Sequence, residues 1–249
     1  MTTRSASSQP PPFGPDQPGT RFGARALVAG LALTLVAVPF GLLLFLVEDK
    51  WPPLLDVDAD ARDSLHGLAV DHTGLVTTLR TLSTIGSAWV YAPLFALVAV
   101  LLLRRGRRRL AIFVVLTMVG STILNSLVKL AVHRARPVLP DPVAHASGMS
   151  FPSGHAQSAL VAVSILLLVA LPALPRPWRL VALAFGLVWV LAIGFARVGL
   201  GVHFVSDVLA GYVLGGAWVA AMAAAFRTWV AEGAAPQQHQ PDRQEEVRR

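Results

Sequence analysis

No cysteine occurs in the chain, which excludes a disulfide framework, a thiolate zinc site and a cysteine nucleophile, and leaves the redox compartment unreadable from thiols. Charge is scarce as well. Asp, Glu, Lys and Arg make up 14% of the 249 residues against 54% hydrophobic, and mean hydropathy is +0.60. A soluble domain carries about 25% charged residues, so these proportions exclude an ordinary water-soluble protein and point to a membrane protein. Acidic residues are outnumbered, giving a net charge of +7. In a soluble protein that excess would suggest nucleic acid. Here the densest basic run, RRGRRR at 104–109, lies between two apolar segments, where a cytoplasmic loop obeying the positive-inside rule accounts for it; no nucleic-acid partner is expected.

What the chain does have is a series of apolar runs. Residues 1–22 are rich in Pro, Ser and Gly and cannot offset the entropy cost of ordering, so they are expected to form a disordered cytoplasmic tail. The run at 26–47 exceeds a signal-peptide core and is followed by EDKWPP instead of a small-residue cleavage site, which predicts a retained transmembrane helix. Further runs at 85–103, 110–128, 156–174, 180–196 and 208–226 each approach the length that crosses a bilayer core. The expectation is an all-α polytopic membrane protein of about six transmembrane helices occupying 23–231, with a polar, disordered C-terminal tail at 232–249. The fourth and fifth spans are separated by LPALPRPWR, whose prolines cannot continue a helix. No internal repeat is visible, which counts against a pseudo-repeated transporter.

Basic residues close to the spans set the orientation. Arg21 and Arg25 precede the first span, the 104–109 run joins the second and third, Arg176 and Arg179 join the fourth and fifth, and Arg227 follows the sixth. All fall on one side, which is therefore cytoplasmic, with both termini inside. On the opposite side, within the loop after the first span, Leu65, Leu68, His72, Leu75, Val76, Leu79 and Leu82 recur at helical spacing, with Asp60 as a candidate N-cap. This pattern predicts an interfacial amphipathic helix.

Ionisable residues at a membrane edge are costly and mark function by default. Three groups stand out: Lys129 and Arg136 in KLAVHRARP, residues 152–155 in PSGH, and Arg197, His203 and Asp207 in RVGLGVHFVSD. By the orientation above, all three meet at the extracytoplasmic face. Lys129, Arg136 and Arg197 supply fixed positive charge, and a guanidinium grips phosphate oxygens through paired hydrogen bonds. Ser153 and Gly154 stand at a predicted helix start, where unpaired backbone N–H groups favour an anion. Asp207 lies one helical turn from His203 and can orient its imidazole for attack. His155, on a different helix, can protonate a departing alkoxide. The set suits a doubly charged tetrahedral oxyanion. His133 is read as a variable position within the first motif, Arg134 beside it as lending extra charge or facing headgroups, His145 as a solvent-exposed loop residue, and His66 and His72 as interfacial; no metal-ligand set is recognised.

These three stretches resemble the signature of the type 2 phosphatidic acid phosphatase family: K-x6-RP, then PSGH, then SR-x5-H-x3-D. Both internal spacings and the order hold. One position departs, Ala196 standing where the family has serine, which puts a secondary contact of the phosphate site in doubt. The resemblance implies a helical bundle core shared with soluble acid phosphatases and vanadium haloperoxidases. It also implies a phosphatase without metal or other cofactor, working through a phosphohistidine, with His203 as nucleophile, Asp207 orienting it, His155 as acid, and Lys129, Arg136, Ser153, Gly154 and Arg197 binding the phosphoryl oxygens. The partners it implies are membrane lipids, with a lipid phosphate or pyrophosphate as substrate: a polyprenyl pyrophosphate, phosphatidic acid or phosphatidylglycerol phosphate in a bacterial plasma membrane. Phosphotransfer through the same intermediate, and lipid-phosphate binding or transport without chemistry, are the alternatives.

Overall fold

A computed structural model of the chain describes Thr34 and residues 37–232, with side chains through Phe226. The expected N-terminal tail, most of the first predicted span and residues 233–249 lie outside the described residues. Among the described residues the regular elements are all helices, with no strand: α1 (Ala37–Glu48), α2 (Pro52–Asp71), α3 (Thr73–Ile85), α4 (Ala88–Arg104), α5 (Arg108–Val132), α6 (Gly154–Ala170), α7 (Arg176–Gly199) and α8 (Val205–Glu232), with an irregular segment at 133–153 between α5 and α6.

Among the described residues, five stretches are long and apolar enough to cross a membrane: Thr73–Arg104, Arg108–Val132, Gly154–Ala173, Arg176–Gly199 and Val205–Phe226. The chain is an integral membrane protein. Large apolar side chains stand exposed on the outside of the bundle, among them Leu97, Leu127, Leu180 and Phe185, as expected where the surrounding solvent is lipid.

Two expectations are corrected. The amphipathic stretch is not one interfacial helix. It breaks at His72, whose backbone leaves the helical region (φ −131°, ψ 89°) and whose Nδ1 donates to the Leu68 carbonyl at 3.0 Å. The part beyond the break, α3, turns only briefly at Gly86 and Ser87 and leads into α4, so the second span begins near residue 73, not 85. Leu79 is buried against Ala196, Leu200 and Val202 instead of lying on a membrane surface. Asp60 caps nothing: α2 begins eight residues earlier at Pro52, where two prolines occupy its first turn, positions whose N–H groups have no helical partner in any case.

α6 is the central helix, packed against α5, α7 and α8. Its contact with α8 runs through Gly211 and Gly215. A Cβ on Gly211 would lie 2.6 Å from the Ser153 carbonyl oxygen, and one on Gly215 3.2 Å from that of Gln157. Small residues four apart are how membrane helices bring backbones close without a hydrophobic driving force. Because consecutive spans alternate in direction, the end of α5, the start of α6, the end of α7 and the start of α8 share one end of the bundle. The Arg104–Arg109 cluster and the α6–α7 turn lie at the other.

Candidate active site

At that shared end the three groups interlock through their backbones. The Ser150 amide donates to the Arg134 carbonyl at 2.9 Å, and the Ser153 amide to the Asp207 carbonyl at 2.9 Å. Arg136 donates to the carbonyls of Ser147, Gly148 and Val202 at 3.0, 3.0 and 2.7 Å. Lys129, in the last turn of α5, donates to the Met149 carbonyl at 2.8 Å. Gly201 takes a positive φ of 67° where the chain turns from α7 into α8, a conformation glycine adopts without strain. That turn carries His203 back beneath Arg136.

His203 is 1% exposed. Its Nδ1 faces the Asp207 Oδ2 at 3.3 Å and its Nε2 faces the Arg136 Nη1 at 3.1 Å. A carboxylate only accepts and a guanidinium only donates, so these partners place the proton on Nδ1 and the lone pair on Nε2. Burial, aided by Arg197 and Arg136 and opposed by Asp207, pulls the imidazole down to about 4. It is neutral at neutral pH. Arg136 is itself pulled below its usual range by burial, with Asp207 countering.

His155 stands on α6 within electrostatic reach of Arg197, His203, Lys129 and Arg136. All eight residues picked out from the sequence are thus gathered at one place. Ser153 is fully buried at the N-cap position of α6, yet its hydroxyl caps nothing. The first N–H groups of a helix have no partner inside it, and this end keeps them open. Ser153 Oγ and Arg197 Nε are both buried with no hydrogen-bond partner among the described residues; a bound oxyanion would satisfy both. Beneath, Asn125 donates to Gln157 at 2.7 Å, and Gln157 donates to the hydroxyl and carbonyl of Ser121 at 2.8 and 2.9 Å. A Cβ on Gly154 would lie 3.2 Å from Asn125 Oδ1, so the floor of the cradle is closed by a side chain locked in a polar network.

Three further residues contribute. Arg134, for which extra charge or a headgroup-facing position was open, donates to Asp207 Oδ1 at 2.6 Å, to Asp58 Oδ2 at 2.9 Å and to Ser206 Oγ at 2.7 Å. Asp58, on α2, is 1% exposed. Ser83, on α3, accepts a short hydrogen bond from Arg197 Nη1. For Asp58 a signal was present: Leu54, Asp58, Ala61, Leu65 and Ala69 form one helical stripe that is apolar except for the acid. His145 and His133 are exposed, the first as expected.

Comparison with known proteins agrees with this architecture. Residues 110–231 match the PAP2 superfamily. Phosphatidylglycerophosphatase B of Bacillus subtilis is 41% identical over 96 residues, 37% of this chain and 46% of the relative, so the match spans about half of that protein's length. Decaprenylphosphoryl-5-phosphoribose phosphatase of Mycobacterium tuberculosis is 34% identical over 149 residues, covering 59% of this chain and 77% of the relative. Among solved structures, a transmembrane PAP2-type phosphatidylglycerolphosphate phosphatase from Bacillus subtilis superposes with a TM-score of 0.67 at 21% identity, over 82% of this chain and 99% of that one.

Proposed function

The chain belongs to the PAP2 superfamily, and on that premise we propose that it hydrolyses a phosphomonoester or pyrophosphate on a membrane lipid through a phosphohistidine on His203, without a metal ion. The observation that carries this is the held imidazole: Nδ1 on Asp207, Nε2 aimed at Arg136, within a cluster of three cations and a second histidine. Arg136 occupies the place where phosphate oxygens would arrive, and an incoming phosphoryl group would take over its contact with Nε2.

In the first step the Nε2 lone pair attacks phosphorus, the bond from phosphorus to the lipid oxygen breaks, and its electron pair leaves with that oxygen. His155 gives up a proton to it, so the lipid departs as an alcohol, or as a monophosphate from a pyrophosphate. His155 is then neutral and can take a proton from water, whose oxygen attacks the phosphohistidine. The P–N bond breaks, the pair returns to Nε2, and inorganic phosphate is released. The anionic substrate brings the negative charge that a protonated His155 requires among so many cations. Lys129, Arg136, Arg197, Ser153 and the amides at the α6 start hold the oxygens.

The relatives' names support a lipid phosphate as substrate, one of glycerophospholipid and one of polyprenyl type. The basic cluster at the opposite end of the bundle supports a site on the extracytoplasmic face with both termini inside, in a bacterial plasma membrane. The test is phosphate release by detergent-purified protein from phosphatidic acid, phosphatidylglycerol phosphate and a polyprenyl pyrophosphate. Release is expected from at least one, unaffected by chelator and abolished in His203→Ala. Equal release by parent and variant, or chelator inhibition relieved by a divalent metal, would refute the assignment.

A further inference from the structure

The catalytic pair does not end at Asp207. Its carboxylate is held on both oxygens. Oδ2 accepts from His203 and from the Phe204 amide at 3.0 Å, and Oδ1 accepts from Arg134 at 2.6 Å. The other arm of Arg134 reaches Asp58, and its guanidinium lies 4.3 Å from the centre of the Phe204 ring. Asp58 in turn accepts from the Ser206 amide at 2.9 Å and from the Ser206 hydroxyl. That amide is in the first turn of α8, where N–H groups lack helical partners, so α2 supplies the cap of the helix that carries Asp207. Asp58 and Asp207 are 1% and 0% exposed. Two carboxylates this buried and this near a shared serine repel, and a cation between them offsets that repulsion. Arg134 is that cation.

Resting on the reading above, we propose that Asp58 and Arg134 are positioning residues. They hold the Asp207 carboxylate rotated toward His203 Nδ1 and balance its charge, and thereby make the seating of α2 a condition for a competent nucleophile. Neither touches the cradle formed by Lys129, Arg136 and Arg197. Their loss should therefore slow the chemical step and leave substrate binding nearly as it was.

The experiment compares the parent with Arg134→Gln, Asp58→Asn and the double variant, using whichever of the three lipids the parent hydrolyses fastest. Outer-shell residues that orient metal-binding side chains typically cost about 10- to 100-fold when mutated; by analogy kcat of Arg134→Gln should fall by roughly that factor and that of Asp58→Asn by about tenfold, with KM within about threefold. If the two act as one unit, the double variant should lose little more than Arg134→Gln alone. The second readout is the titration of His203 by NMR in micelles, its signal identified by its absence from His203→Ala. The charged groups around His203 are Asp207 on α8, Arg197 on α7, Arg136 in the 133–153 segment and His155 on α6. Removing Arg134 leaves Asp207 less compensated, so the His203 midpoint should rise from about 4. A kcat loss that only tracks a lower melting temperature, with the His203 titration unmoved, makes the cluster merely structural and overturns the proposal; so does a parent-like kcat in Arg134→Gln. Should no lipid be hydrolysed by the parent, the assigned activity fails, and the His203 titration still decides this inference.

Discussion

Replacing Gly211 by alanine should separate the two histidines. Gly211 is one turn beyond Asp207 on α8 and faces the start of α6. A methyl there would sit 2.6 Å from the Ser153 carbonyl oxygen and 3.3 Å from both the Gln157 nitrogen and Ala156 Cβ. Two of these are backbone atoms, so no rotamer change relieves the clash. Ordinary contact begins at 3.4 Å, so the helices must part by about 0.8 Å. The parting falls between His155, on α6, and the His203–Asp207 pair that leads into α8. In-line transfer needs attacker and acid on opposite sides of one phosphorus, and a misplacement of about 1 Å can cost roughly 100-fold in rate. The expected loss in kcat is therefore about 10- to 100-fold, together with about 1–3 kcal/mol of overpacking. The control is Gly216→Ala on the same helix, whose methyl would meet only Leu160 Cδ2 at 3.7 Å. Phosphate release and thermal unfolding in detergent are measured on both variants. Gly211→Ala within twofold of the parent in kcat would show that α6–α8 spacing does not set the site and would sink the reasoning.

Two further outcomes follow from the same geometry. Since the folded His203 pKa is depressed to about 4, the nucleophile is neutral above that value and protonated below it, so kcat/KM should fall as pH drops through about 4; a free-enzyme acid limb near 6.5, the ordinary imidazole value, would contradict the burial of the ring. Ser83→Ala removes the hydroxyl that holds Arg197 Nη1; a hydrogen bond to a charged group contributes about 1.5–3 kcal/mol to stability, so the melting temperature should fall by several degrees and kcat/KM should drop by about tenfold as Arg197 loses its direction, and a kcat/KM loss under twofold would show that Arg197 needs no such anchor.

The local chemistry of the site was readable because its codes are local. A Ser-Gly pair before an apolar run marks a helix start, LPALPRPWR ends one helix and begins another at a 3-10 turn, Leu171–Ala173, and a histidine four residues before an acid comes within reach of it even though His203 lies in the turn before α8 and not on the helix itself. The second span was misjudged for an identifiable reason. Thr77, Thr78, Thr81 and Thr84 look like a polar interfacial face, yet each hydroxyl donates to the carbonyl four residues earlier. Threonines satisfied within their own helix cost little in an apolar surrounding, so the apolar run could extend back to Thr73. Asp58 and Arg134 escaped because their meaning is tertiary. They are 76 residues apart and acquire their role only when α2 lies across the start of α8.

Ala196 shows how a departure from the family pattern is accommodated. Its methyl is fully buried in a wall made by Leu79, Leu200 and Val202, with no hydroxyl to offer Arg197 beside it. Arg197 instead reaches across to α3, where Ser83 accepts from Nη1, while Nε is left without a partner among the described residues. A guanidinium fixed on one arm and unsatisfied on another is held in direction but still short of a hydrogen bond, the condition in which it gains most from a phosphate oxygen. The segment that supplies this anchor is the one whose Leu79 packs against Ala196. On the proposed reading, phosphate binding would depend on α3 in the way that the nucleophile would depend on α2. The two helices on either side of His72 each brace one half of the candidate site, the first through Asp58 and the second through Ser83.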